Sequence, residues 1–198
     1  MRLCSIDVGV RNLAVVVLDV EPGAAAVVRA WVSASTVPES TRVRGMCKTD
    51  AVEAVVRALE ERADELLECD TVLVEAQPRF SPLNVQTAHA IAAYFVVRKR
   101  VDLDEPVAVH LVHAGRKNAW AKPANPTAAT TRAARYARNK HDCVAACARV
   151  VERSGCARLA RAWAAFRKKD DAADALAQAL AWLGVPCEAA RVVGADFF

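Results

Sequence analysis

The chain has 198 residues, 54% hydrophobic and 25% charged, with only seven Gly and eight Pro, which fits a single domain spanning 1–198 and excludes low-complexity disorder and collagen-like sequence. Its most apolar stretches, Leu13 to Leu18 and Ala177 to Val185, fall well short of the roughly 20 residues a bilayer span needs, and Asp7 stands where a signal peptide would have its apolar centre. The net charge of +4 is unevenly spread: residues 1–97 carry −4, residues 98–169 carry +12 and residues 170–198 carry −4.

Three apolar runs open the chain, Leu3 to Val8, Leu13 to Val20 and Ala26 to Ser33, broken at Gly9 to Asn12 and Glu21-Pro22-Gly23. Both breaks have turn chemistry, so an antiparallel meander is predicted. A polar stretch leads to Asp50, a helix cap by composition, and then to Val52, Val55, Val56, Leu59, Ala63, Leu66 and Leu67 at helical spacing. Thr71 to Val74 reads as a buried strand ending in Glu75. Leu83 to about Arg100 reads as helix and Val107 to Val112 as strand. Gly115 to Thr127, with two Pro, one Gly and two Asn, is predicted to be a loop. Helices are expected at about 130–153, 157–166 and 169–184.

Seven cysteines without a Cys-x-x-Cys pair point to a reducing compartment, not to a disulfide framework or a zinc knuckle. Cys143 and Cys147 read as buried helical thiols. The +12 segment followed at once by Asp170, Asp171 and Asp174 suggests a polyanion-binding surface beside an acidic pocket, although a solvated basic helix face gives the same count.

Three acidic positions need explaining. Asp7 lies inside an apolar strand, Glu75 ends another, and Asp171 and Asp174 open an apolar helix three residues apart, on one face of it. Buried carboxylates persist when paired, hydrogen-bonded or bound to metal. Spacing alone does not choose between Asp170 and Asp171 as the partner of Asp174.

Together, Ser5-Ile6-Asp7-Val8-Gly9-Val10-Arg11-Asn12, Val74-Glu75-Ala76-Gln77-Pro78 and Asp171-Ala172-Ala173-Asp174-Ala175-Leu176 resemble the RuvC-like Holliday junction resolvases, with the poxvirus resolvases and their fungal mitochondrial relatives nearest in pattern. The resemblance implies an α/β, ribonuclease H-like fold of the retroviral integrase superfamily, with a mixed five-stranded sheet flanked by helices. It also implies a homodimer that cuts four-way DNA junctions by paired nicks with two Mg2+ (or Mn2+) ions per active site. Carried over by position, the metal ligands are Asp7, Glu75, Asp171 and Asp174. The Asp-Ala-Ala-Asp-Ala-Leu pattern selects Asp171 over Asp170. Arg135-Tyr136-Ala137-Arg138-Asn139-Lys140 resembles the family's basic stretch and offers Lys140 as a catalytic residue, or as one more phosphate-neutralising charge. Poxvirus-like ancestry implies work on branched or concatemeric viral DNA in the host-cell cytoplasm.

An oxygen-only ligand set suits magnesium, and two divalent ions about 4 Å apart can activate water, neutralise the phosphoryl oxygens and support the leaving group. Arg98, Lys99, Arg100, Arg116, Lys117, Lys122, Arg132, Arg135 and Arg138 are candidates to follow phosphates around the branch point. Phe80, Trp120 and Tyr136 could stack on unpaired bases or serve packing. No membrane and no organic cofactor are expected. Two rivals are an actin-like ATPase or sugar kinase, since Asp7-Val8-Gly9 resembles a first phosphate loop, and a junction-binding architectural protein without catalysis.

Overall fold

The computed structural model describes all residues except 24, 39, 44, 124–130 and 195–198. Strands β1 (Arg2–Asp7), β2 (Asn12–Asp19) and β3 (Ala26–Ser35) form the predicted meander. β4 (Thr71–Ala76) adds to β1 in parallel, and β5 (Ala108–His113) adds to β4 in parallel. A sixth strand, β6 (Val192–Gly194), pairs with β3 and makes the sheet order β5-β4-β1-β2-β3-β6. The mixed, helix-flanked sheet is as expected except for this extra strand, whose three residues are too few for an alternation signal.

Seven α-helices flank the sheet among the described residues: α1 (Lys48–Glu60), α2 (Ala63–Leu66), α3 (Pro82–Val96), α4 (Gly115–Ala121), α5 (Arg132–Ser154), α6 (Ala157–Ala165) and α7 (Lys169–Trp182). One face of the sheet packs Leu3, Val16, Leu18 and Leu73 against α5 and α7. The other packs Cys4, Ile6, Val15, Val17, Val72 and Val74 against α1 and α3. β1 and β2 are covered on both sides, which explains their near-continuous apolar runs.

Helix boundaries differ from expectation in instructive ways. Cys47, not Asp50, is the cap of α1, and Asp50 lies in its first turn, where a carboxylate favours the macrodipole. α3 runs on through a π-helical turn, Val97–Asp102. α5 starts where the Thr131 side chain accepts from the Ala134 N–H and ends at Gly155 in the left-handed conformation. The predicted loop from Gly115 is helical as far as Ala121. Its prolines fall later, at 123 and 126, and Lys122 before Pro123 is extended, as a residue preceding proline prefers. The later part of that predicted loop, 124–127, lies outside the described residues. No helix among the described residues is long and apolar enough to cross a membrane.

Candidate active site

Strand periodicity aims the first two acids. Leu3, Ser5 and Asp7 share one face of β1, as Leu73 and Glu75 do on β4. Ile6 pairs with Val74 in parallel register, so Asp7 and Glu75 end neighbouring strands and project toward the same helix. That helix is α7, which carries Asp171 and Asp174 on its inner face. Three contacts fix it: the Trp31 indole N–H donates to the Ala172 carbonyl at 3.0 Å, the Cys147 thiol to that of Ala173 at 3.3 Å, and Gln178 Nε2 reaches Ser5 Oγ at 3.1 Å, the Ile6 carbonyl at 3.3 Å and the Leu73 carbonyl at 3.4 Å.

The four acids line one cleft of about 930 Å³. At its floor lies Lys117 from α4, whose Nζ stands 3.3 Å from Asp7, 3.2 Å from Glu75 and 2.8 Å from Asp174. These three carboxylates thus converge on a single point, and the Lys117 ammonium, only 3% exposed as a residue, occupies it. Asp171 faces the same cleft with its carboxylate bound by Lys168 Nζ at 2.6 Å and 2.7 Å. Asp170 is turned aside and pairs with Lys140, so geometry brings Asp171, not Asp170, onto the cleft.

The electrostatics follow from this crowding. Burial, reinforced by a hydrogen bond and repulsion from Glu75 and opposed by Lys117, pushes Asp7 up to about 8. Burial also raises Asp171, against the pull of Lys168, and Asp174, against that of Lys117. Burial alone would lower Lys117, but the charges of Asp7, Glu75 and Asp174 outweigh it and hold the ammonium well above its ordinary value.

Of the basic and aromatic residues expected along the DNA path, some line the cleft and others do not. Arg132 lines it, with its guanidinium 5.2 Å from the centre of the exposed Phe80 ring. Lys140 and the exposed Tyr136 also line it. Arg116, Lys122, Arg135 and Arg138 do not, though the first three are exposed. Arg116 lies over the Trp182 ring at 5.1 Å, and Arg138 is within 4.0 Å of Asp142.

Arg98, Lys99 and Arg100, also expected as phosphate contacts, do not line the cleft. α3 descends from the cleft, so its C-terminal end lies at the opposite end of the sheet. There Arg98 pairs with Glu60 and with Asp102 at 3.1 Å, Lys99 is buried against the Cys69 carbonyl and Glu105, and Arg100 donates to the Val107 carbonyl at 2.7 Å. Lys117, expected among the residues that follow DNA phosphates, lies among the acids. Nothing in the local sequence singles it out from the surrounding basic residues. Trp120 is a packing residue: its indole N–H donates to the Val185 carbonyl at 2.7 Å and anchors α4. Cys143 and Cys147 are buried core thiols.

Gly9 serves the backbone itself. A Cβ there would lie 2.5 Å from the Asn12 carbonyl oxygen, so the tight turn between β1 and β2 requires glycine without any bound phosphate.

The family model for the poxvirus A22 protein matches residues 1–185. The chain belongs to that family. The fold is similar to the fowlpox virus resolvase in complex with substrate Holliday junction DNA, with a TM-score of 0.61 at 16% identity over 93% of this chain and 97% of that one. It is also similar to the yeast mitochondrial Holliday junction resolvase, at 0.58 and 13% over 91% and 78%, and to Thermus thermophilus RuvC in complex with Holliday junction substrate, at 0.50 and 17% over 93% and 98%. No curated protein matches the sequence. The resemblance carried by the three acidic motifs and the ribonuclease H-like fold class it implied are both borne out.

Proposed function

We propose that the chain is a single-domain, structure-specific endonuclease, residues 1–198, that resolves four-way DNA junctions by paired symmetric nicks. The observation carrying this reading is the convergence of Asp7, Glu75 and Asp174 on one point at the floor of a cleft that Asp171 also lines. A catalytically silent junction binder would have no use for four carboxylates gathered at such electrostatic cost.

The donor set fits divalent cations. It is all oxygen, which hard ions prefer, and three of its members already enclose a cation, the Lys117 ammonium. Lys117 Nζ stands where three of these carboxylates converge, so bound ions would take over contacts that it makes. Asp7, Glu75, Asp171 and Asp174 would hold the ions, two of Mg2+ or Mn2+. When bound, these would supply Lewis-acid charge and a more acidic water.

The chain's own residues do the rest. Asp7 serves as a ligand only as its carboxylate, so the upward pull of burial on it opposes metal binding as pH falls. Lys117 Nζ, freed from part of its carboxylate cage, can donate to the non-bridging oxygens of the scissile phosphate as charge develops there. Arg132 and Lys140 lie on the cleft where flanking phosphates would pass. Paired nicks in a four-way junction call for two such sites related by a two-fold axis, so the working form is a homodimer. All seven cysteines are free thiols, in keeping with the reducing cytoplasm of an infected cell.

The test is incubation of purified protein with a synthetic four-way junction and a matched linear duplex, with magnesium and with chelator. Paired nicks confined to the junction and dependent on magnesium are expected. An uncut junction, or equal cutting of the duplex, would overturn the proposal.

A further inference from the structure

Beside the catalytic cleft lies a second groove of about 540 Å³, and Arg11, Asn12 and Lys168 line both. Its floor is the C-terminal end of β3. Ser33 pairs with Ala14, and Ser35 pairs with Asn12. The two serines follow Trp31 on the same face of the strand. Its opposite wall is Phe166-Arg167-Lys168, the connection from α6 to α7. The groove therefore continues the cleft sideways across the same end of the sheet, away from Phe80, Arg132 and Tyr136.

The lining has a definite chemistry. Arg11, Arg167 and Lys168 bring positive charge, Arg11 while also donating to the Thr41 carbonyl and Lys168 while also holding Asp171; Ser33, Ser35 and Asn12 supply neutral hydrogen-bonding groups, and no carboxylate lines the groove among the described residues. Phe166, the aromatic residue of the lining, is engaged with Trp31 in a T-shaped contact, ring centres 5.1 Å apart. Cations and hydroxyls without an aromatic platform suit a sugar-phosphate backbone and read no bases.

We infer that this groove binds the phosphodiester backbone of the cleaved strand on one side of the scissile phosphate, while Arg132 and Lys140 take the other side. The inference rests on the nuclease reading for the position of the scissile phosphate, but the groove's affinity for backbone does not depend on cleavage. A strand held on both flanks of the acidic floor is fixed in register against the catalytic residues, which is the positioning that phosphoryl chemistry needs.

Binding is measured by fluorescence anisotropy of a labelled four-way junction in chelator, across a salt series, for the wild-type protein and for Arg167→Glu, Ser33→Glu and Arg161→Glu. Arg161 is exposed on α6 and lines neither the cleft nor the groove, so its variant controls for the change in overall charge. Ser33→Glu brings the negative charge from a different element, which guards against a local folding defect in the connection to α7. Both groove variants are expected to bind about tenfold or more weakly than Arg161→Glu, with a salt slope shallower by about one for each phosphate that is no longer neutralised. Affinities and slopes equal to those of Arg161→Glu would overturn the groove. A wild-type protein that shows the expected groove effects yet leaves the junction uncut in magnesium would remove the nuclease reading and leave the groove standing.

Discussion

Asp7 and Lys117 set the chemistry of the site between them. Asp7 is raised to about 8, and Asp171 and Asp174 are raised as well, each chiefly by burial. A carboxyl raised on folding stabilises the protein fully below its unfolded value, near pH 4, and that contribution is lost as pH rises through the folded value. The metal-free protein is therefore expected to lose thermal stability between about pH 4 and 8, and Asp7→Asn to flatten that slope in melting curves recorded in chelator. An unchanged slope would mean that Asp7 is not held protonated. Lys117 has the opposite role, since it neutralises carboxylates that would otherwise face one another. Removing one partner of such a buried cluster costs about 3–5 kcal/mol, so Lys117→Met should lose stability on that order in denaturant titrations without metal. The acids were legible in the sequence because each interrupts an apolar pattern: Ile6-Asp7-Val8, Val74-Glu75, and the acidic start of an apolar helix. Lys117 was not legible, because a lysine among Arg116, Asn118 and Lys122 reads as surface charge until the fold turns α4 inward.

The elements that carry these side chains are held by polar contacts within the core. Gln178, 2% exposed, sits one turn beyond Asp174 and ties α7 to the carbonyls of Ile6 and Leu73, the strands that deliver Asp7 and Glu75. Gln178→Leu removes these contacts, at about 0.5–1.5 kcal/mol for each net hydrogen bond lost. It is also expected to lower the single-turnover nicking rate more than the junction affinity, because the acids lose register while the basic surface stays. Equal loss in both, or none, would limit Gln178 to packing. Most elements followed from periodicity: β1 to β5 and α5 to α7 came out within a few residues. The failures have physical causes. β6 has only three residues, and its place in the sheet comes from long-range pairing with β3. α4 is a seven-residue helix that is stabilised by Trp120 on the Val185 carbonyl and by Lys117 among the acids. Composition around Pro123 and Pro126 masked it.

The uneven charge along the chain resolves in three dimensions into two ends of one sheet. At one end lie the acidic floor, the cleft with Arg132 and Lys140, and the adjoining groove with Arg11, Arg167 and Lys168. At the other, Arg98, Lys99 and Arg100 hold the C-terminal turn of α3 to the base of the sheet through Glu60, Asp102, Glu105 and backbone carbonyls. The count of +12 thus overstates the DNA-facing charge, and Arg100→Ala should leave junction affinity and its salt slope within about twofold of wild type, since Arg100 neutralises no phosphate. A marked drop in affinity would return that end to the binding surface. On α3, Ala88, Ile91 and Phe95 pack in the core while Val96 is exposed. What the two-ended arrangement requires is that Asp7, Glu75, Asp171 and Asp174 act as one centre. The most direct measurement is the single-turnover cleavage rate of a four-way junction in magnesium by Asp7→Asn, Glu75→Gln, Asp171→Asn and Asp174→Asn, with junction binding measured in parallel. Each variant is predicted to bind the junction like wild type and to cut it slower by about a hundredfold or more, the order expected for loss of a transition-state-stabilising group. A variant that cuts at the wild-type rate would contradict the shared centre.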